Sequence, residues 1–217
     1  ETGQKYWFYD GTTWTEHATL EGGHFVGLED ELWRSYKSSN DWFVAKSTDG
    51  GATATWGAGL QVGDRATAIT EMSPYDDRAY VFKEDQVYTL QRNASAVAAE
   101  VWPGGLEMKD DLNGVGSAPW SSHLYMVLPD AGLYEYTLTG TDQFVQPVGP
   151  DLLAMNDSTV RGPVTAVCGE RDYWLYAVVQ NESSNSFLLV WDRSRNAWHG
   201  SIVDLGAFAC RKMLITD

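Results

Sequence analysis

Two pairs of neighbouring acids, Asp76–Asp77 and Asp110–Asp111, and the arginines Arg65, Arg78, Arg161, Arg171 and Arg211 have the side chains best suited to a reaction in this 217-residue chain. Carboxylates work as general acid and base when they face each other across a pocket, and clustered arginines can hold an anionic substrate. Neither arrangement is spelled out. Adjacent acids in a turn-forming stretch are ordinarily solvated loop charges, and no arginine recurs at equivalent places along the chain. There is no Gly-x-Ser-x-Gly elbow, no His-Glu-x-x-His and no phosphate loop. His17, His24, His123 and His199 read as turn and strand-end residues. The stretch Asp110 to Gly114 gathers oxygens without the ligand spacing of a calcium loop. Cys168 and Cys210 have no cysteine or histidine at metal spacing and are expected as free thiols. The expectation is a protein with no catalytic residue, no metal site and no cofactor. Aromatic residues beside turns are better candidates for binding. Tyr75 and Trp120 lie in predicted loops between first and second strands, and with Asp76 and Asp77 they form the candidate ligand-binding set.

The elements that must hold these residues are short strands. Runs such as TAITEM, RAYVF, QVYTL, HLYMVL, GLYEYTL, WLYAVV and FLLVWD are rich in β-branched and aromatic residues, and Gly, Asp, Asn and Ser separate them. Helical periodicity is hard to find. One aromatic follows each of five turn-like segments, Trp14, Trp56, Trp102, Phe144 and Trp198, at intervals of 42, 46, 42 and 54 residues. A second series, Trp33, Tyr80, Tyr125 and Tyr176, keeps step at intervals of 47, 45 and 51. That period, roughly 40 to 50 residues, is the size of a propeller blade.

The fold class expected is therefore all-β, a β-propeller of four-stranded antiparallel blades, with strands A to D running from channel to rim. Blade one reads HFVGL, ELWRSY, DWFVAK and TWGAGLQV; blade two reads ATAITEM, RAYVF, QVYTLQ and AVAAEVW. Blade three reads VGSAPW, HLYMVL, GLYEYTL and QFVQPV, and blade four VTAVCG, WLYAVV, FLLVWD and AWHGSIV. KYWFYDG and TTWTEH near the start read as strands C and D without an A or B. GAFACRK and MLITD at the end read as A and B without a C or D. The expectation is one domain over residues 1–217, with five blades and the fifth shared between 207–217 and 5–17. A segment of a six- or seven-bladed ring is the alternative, and a start at Glu1 fits a processed or excised chain.

The stretch Ser47 to Trp56, STDGGATATW, resembles the Asp-box of sialidases and other propellers, Ser-x-Asp-x-Gly-x-Thr-Trp, with two extra residues before Trp56. That resemblance implies a structural turn built by Ser47, Asp49, Gly51 and Trp56, in which Asp49 bonds turn amides and Trp56 packs beneath the hairpin. Sialidase activity is not implied, because the Arg-Ile-Pro motif and the arginine triad of that family are missing. Tyr173 to His199 is similar to blades of bacteriophage virion propellers, those of tail, nozzle and DNA-stabilisation proteins. That second resemblance implies a non-enzymatic structural part, in the virion or extracellular, that presents loops to neighbouring virion proteins or to a host surface. A carbohydrate-binding lectin or adhesin that takes a surface glycan is the alternative, and a secreted glycosidase comes third.

Charge narrows the partners. The formal net charge is −15, and the nine Arg and six Lys are scattered, whereas phosphate binding needs clustered cations. Direct nucleic-acid binding is not expected. Membrane insertion is not expected either, since no apolar run approaches the roughly eighteen residues of a span. Assembly into an oligomer stays open. Because each end carries the strands the other lacks, Lys212–Asp217 is expected beside Lys5–Asp10. Removal of residues 1–17 should then lower the thermal midpoint of the whole chain rather than fray one end, and an unchanged calorimetric midpoint would count against a shared blade.

Overall fold

The structure, a computed structural model, describes residues 5–36, 40–53, 55–99, 112–128, 132–139, 142–148, 163–170, 174–181, 183–199, 202–210 and 212–213. Among them there are strands and turns and no helix. The chain divides into two compact units, residues 1–100 and 101–217. In the first unit, one sheet contains β1 (Lys5–Tyr9), β2 (Trp14–Leu28), β3 (Glu31–Tyr36), β4 (Phe43–Lys46) and β5 (Leu60–Gln61) in that order. A second sheet contains β6 (Ile69–Tyr75), β7 (Arg78–Lys83), β8 (Val87–Gln91) and β9 (Ala98–Ala99).

In the second unit, the third sheet runs β10 (Ala118–Trp120), β11 (His123–Leu128), β12 (Gly132–Thr139) and β13 (Asp142–Pro147). The fourth runs β14 (Val164–Glu170), β15 (Trp174–Gln180), β16 (Ser186–Asp192) and β17 (Ala197–Trp198), while β18 (Val203–Gly206) also pairs with β16. All of these pairings are antiparallel.

Strand composition follows from burial on two faces. In β11 all of Leu124, Tyr125, Met126, Val127 and Leu128 are at most 1% exposed, so the strand reads as a continuous apolar run instead of an alternation. Alternate side chains nevertheless go to opposite faces. Tyr125 and Val127 join Val164, Val167, Leu175, Ala177, Val179 and Leu189 in the core shared by the third and fourth sheets. In the first unit, Val26, Trp33 and Val44 meet Met72, Ala79, Val81 and Leu90 in the same way. The aromatic series Trp33, Tyr80, Tyr125 and Tyr176 takes the third place of β3, β7, β11 and β15, the second strand of each sheet's four-stranded set. The first three of these side chains are at most 2% exposed.

The other series lies on strands that follow a third strand. Trp14 is cross-strand from Tyr9, Trp56 bridges Ser47, Phe144 faces Thr137 and Trp198 faces Trp191; Trp102 lies outside the described residues. The likeness between the first strands and the last is a shared turn. Asp10 accepts from Thr12 N and Thr13 N at 2.8 Å and from the Thr12 hydroxyl at 2.7 Å. Asp192 accepts from Ser194 N at 2.9 Å, the Ser194 hydroxyl at 2.6 Å and Arg195 N at 3.3 Å. In both places a carboxylate at a strand end satisfies the amides of its own turn.

Asp49 does the same in the 47–56 hairpin. It accepts from Gly51 N at 3.2 Å, Thr53 N at 3.0 Å and the hydroxyls of Ser47 and Thr53. Gly50 and Gly51 have φ of 67° and 89°, the left-handed region in which glycine is unstrained. Trp56 packs against Tyr6, Phe25 and the buried Arg34 guanidinium, which sits 4.7 Å over its ring.

Three segments differ from expectation. TTWTEH and HFVGL are one strand, β2, because the Gly22–Gly23 step between them makes a bulge and not a turn. AWHGSIV splits into β17 and the start of β18, both against β16. The described residues of GAFACRK form no new strand: Gly206 ends β18 at φ 72°, Phe208 N bonds back to Gly206 O, and Ala207–Cys210 carries no ladder. Residues 214–217 of MLITD lie outside the described residues. Cys168, buried, and Cys210, half-buried, are free thiols.

Two outcomes are expected. Trp33→Ala should cost about 3–5 kcal/mol in urea unfolding, as for other buried tryptophans, and a wild-type midpoint would contradict its place in the core. Hydrogen bonding by Thr12, Thr53 and Ser194, first among the causes, holds the Asp10, Asp49 and Asp192 carboxyls below their ordinary value. The folded state therefore binds fewer protons at these groups than the unfolded state does. Their stabilisation is present above the unfolded carboxylate range and is lost as pH falls through the lowered folded values. Thermal midpoints should drop below about pH 5, and Asp49→Asn should flatten that acid limb.

Candidate functional site

Three of the four sheets have a two-residue turn at equivalent places, between β2 and β3, β6 and β7, and β10 and β11. Leu28 pairs with Glu31, Tyr75 with Arg78 and Trp120 with His123, which leaves Glu29–Asp30, Asp76–Asp77 and Ser121–Ser122 as the turns. Glu29, Asp76, Ser121 and Ser122 take φ between 49° and 62°, the left-handed backbone that tight hairpins of twisted strands require. Tyr75 and Trp120 are equivalent, each the last residue of a first strand. Tyr75 is 9% exposed with its ring 5.8 Å from Tyr80, and Trp120 lies 5.5 Å from Tyr125. Trp120 also seats on the backbone of Gly169, where an added Cβ would lie 1.9 Å from the ring. Both rings are thus engaged in packing.

Asp76 and Asp77 are exposed side by side on one turn in the first unit, and Trp120 belongs to the second unit. The turn residues Ser47, Asp49, Gly51 and Trp56 come together in the single hairpin described above. Asp110, Asp111, Arg161, Arg171 and Arg211 lie outside the described residues.

Pairing register reveals a set of residues that spacing along the sequence did not. Arg92 and Arg193 each follow the last residue of a third strand, β8 and β16, and each reaches the first turn of the neighbouring sheet in its own unit. Arg92 pairs with Glu29 at 2.5 Å and Asp30 at 2.8 Å. Arg193 donates to Ser121 Oγ at 2.8 Å, lies 3.0 Å from His123 Nε2, and stands 5.9 Å over the Trp120 ring.

Beneath each arginine is a second matched group. Trp33 faces Lys46 across β3–β4, and Tyr125 faces Glu135 across β11–β12. In the first unit Glu31 accepts from Lys46 at 2.9 Å, from Trp33 Nε1 at 2.9 Å and from Asn93 N at 3.2 Å. Burial would raise the Glu31 carboxyl, but these donors outweigh it and hold the group below its usual value. The second unit exchanges the carboxylate's position: His123 stands where Glu31 does, and Glu135 where Lys46 does. Glu135 accepts from Tyr125 Oη at 3.0 Å and Gln146 Nε2 at 3.4 Å, and His123 Nε2 is 3.0 Å away. Burial, then the Glu135 charge, pushes the Tyr125 phenol far above its ordinary value, so it remains a donor.

A cavity of about 230 Å³ opens beside this group, lined by Glu135, Gln146, Pro147, Val148, Trp191, Arg193 and Asn196. Its chemistry is a guanidinium, a buried carboxylate and two amides over an apolar floor, which suits recognition by hydrogen bonds. Which turn each arginine reaches depends on sheet packing, which spacing along the chain does not show.

No protein-family model and no curated protein matches the chain. Solved structures do. The extracellular domain of the one-component system BT4673 from B. thetaiotaomicron matches 93% of this chain at 12% identity and TM-score 0.60. The β-propeller domain of Cps50 (Swd1) from Myceliophteria thermophila matches 90% at 11% identity and TM-score 0.60. YCF48 bound to D1 peptide matches 89% at 13% identity and TM-score 0.54. The chain spans 25%, 59% and 55% of the lengths of these three proteins. At such identities the likeness speaks of architecture, and the architecture of this chain is that of a β-propeller built from four-stranded antiparallel sheets.

Proposed function

We propose that this chain is a non-catalytic interaction propeller that binds a protein partner, with a bacteriophage virion or tail, or another extracellular assembly, as its setting. The observation that carries the reading is the β1–β2 hairpin. Its Trp7, Tyr9 and Trp14 are 56%, 49% and 63% exposed, and among the described residues β1 pairs with β2 alone. Large aromatics exposed together on a strand edge are the usual mark of a protein-binding surface, since a partner gains both apolar burial and ladder hydrogen bonds. Asp10 and its turn bonds fix the hairpin's shape, so little ordering is left to do on binding.

Other features support the same reading. Asp76 and Asp77 share one exposed turn, which suits solvation better than acid–base work across a pocket. Glu135 already accepts from Tyr125 and Gln146 and has His123 at 3.0 Å. Glycan binding has weaker support, because Tyr9 and Trp14 stack on each other at 4.8 Å while Tyr75 and Trp120 pack on neighbouring tyrosines. YCF48, a propeller of related architecture, is bound to a peptide.

In the virion setting, mass spectrometry of purified particles should find the chain at a fixed ratio to the capsid protein. A Trp7→Ser, Trp14→Ser variant with a wild-type melting curve should enter particles at least about tenfold less well, the loss expected from truncating two interface aromatics. Absence from particles, or equal entry of the variant, would reject the reading. The chain should also leave a panel of fluorogenic glycosides intact. Turnover that disappears in Asp76→Asn or Asp77→Asn would make it an enzyme.

A further inference from the structure

The two units contain the same arginine in the same place with different company. Arg92 is neutralised by two carboxylates of its facing turn, Glu29 and Asp30. The equivalent turn in the second unit is Ser121–Ser122, so Arg193 meets a hydroxyl instead. Among the described residues, the carboxylate recorded near it is Glu135 at 3.9 Å, beyond hydrogen-bond reach and already engaged by three other side chains. A second difference lies one residue before each arginine's strand end, where β8 has Leu90 and β16 has Trp191. Trp191 is 4% exposed, and its indole Nε1 has no hydrogen-bond partner among the described residues. A buried donor without an acceptor is costly, and the position is one where the two units differ. Arg193, Trp191, the amides of Gln146 and Asn196 and the already engaged Glu135 all border the same cavity.

We infer that this cavity binds a carboxylate of the partner polypeptide, which gives Arg193 the charge partner that Glu29 and Asp30 give Arg92. Guanidinium and carboxylate suit each other through parallel charge-assisted hydrogen bonds, and the amides can bond the adjoining peptide group. The volume of about 230 Å³ falls below the roughly 300–1,000 Å³ of drug-sized pockets and fits a chain terminus or one acidic side chain. Pro147, Val148 and Trp191 give that segment an apolar wall. An acidic sugar is disfavoured, because stacking needs an open aromatic face and Trp191 is buried. The net charge of −15 repels anions at a distance, so the affinity must come from close contact. The inference rests on the protein-partner reading above but concerns a different surface from the β1–β2 hairpin.

Ligand-observed NMR with the full chain tests it. The probes are acetyl-glycyl-leucine, its C-terminal amide, acetyl-glutamate amide and glucuronate. At least one of the two peptide acids should bind about ten- to a hundredfold better than the neutral amide, the range expected when a charged hydrogen-bond partner is lost. Whichever acid binds identifies the carboxylate as terminal or side-chain. Ser121→Glu restores the acid of the first unit's turn, and the backbone there (φ 49°) already suits it, since Glu29 takes φ 50°. That variant should fold normally and lose the preference for acid over amide, and Arg193→Lys should weaken it. Equal binding of acid and amide, no binding of either acid, tighter binding of glucuronate, or a Ser121→Glu variant that binds acid as wild type does would each overturn the inference. Absence of the chain from particles, or equal entry of the Trp7→Ser, Trp14→Ser variant, with acid binding intact would instead fault the hairpin reading alone.

Discussion

A sheet of four short strands whose central strands are apolar on both faces cannot stand alone. In β11, Leu124, Met126 and Leu128 occupy one face and Tyr125 and Val127 the other, and all five are nearly inaccessible to water. Each face removed from water contributes in proportion to its apolar area, so such a sheet is stable only when it is stacked against another. Most other features follow from that demand. Strands stay short, turns fall at sheet ends, and the bulky aromatic at the third place of each second strand fills the gap that twist opens between neighbouring sheets. Trp33 and Tyr125 do this in the cores of their own units.

Stacking also brings polar groups of different sheets together at the turn ends, where water still competes. Arg92 and Arg193 bind across that seam, and their partners decide what the seam can do. In the first unit the acids of the turn close the electrostatics within the chain. In the second unit serines replace them, the pair beneath is inverted from Glu31–Lys46 to His123–Glu135, and a cavity remains. A repeat that must keep its packing positions can vary its seam residues freely, because they contribute little to core burial. Function can therefore diverge between copies of one scaffold.

The hairpin at β1–β2 shows the opposite regime. Its aromatics are not used in either core, yet Asp10 and the cross-strand stack of Tyr9 on Trp14 hold it in a defined shape. An exposed apolar surface that is locally rigid loses little entropy when covered.

The sequence by itself determined the strand class, the blade-sized period and nearly every strand in blades two and three. Those depend on local patterns: apolar runs of four to eight residues, and turn residues whose backbone preferences act over a few bonds. The role of Asp49 as acceptor for its turn was also written locally. Tertiary structure decided the rest. Gly22–Gly23 became a bulge within β2 because both neighbouring strands pair with it, and AWHGSIV split because β16 offers its edge to two short segments. Tyr75 and Trp120 were expected in loops and are the last residues of β6 and β10, and whether their rings stayed open depended on Tyr80, Tyr125 and Gly169. The Arg193 site was not legible at all. Its members lie between 121 and 196 in the chain, on strands of two sheets, and only sheet stacking makes a serine turn, a buried glutamate and a distant arginine neighbours.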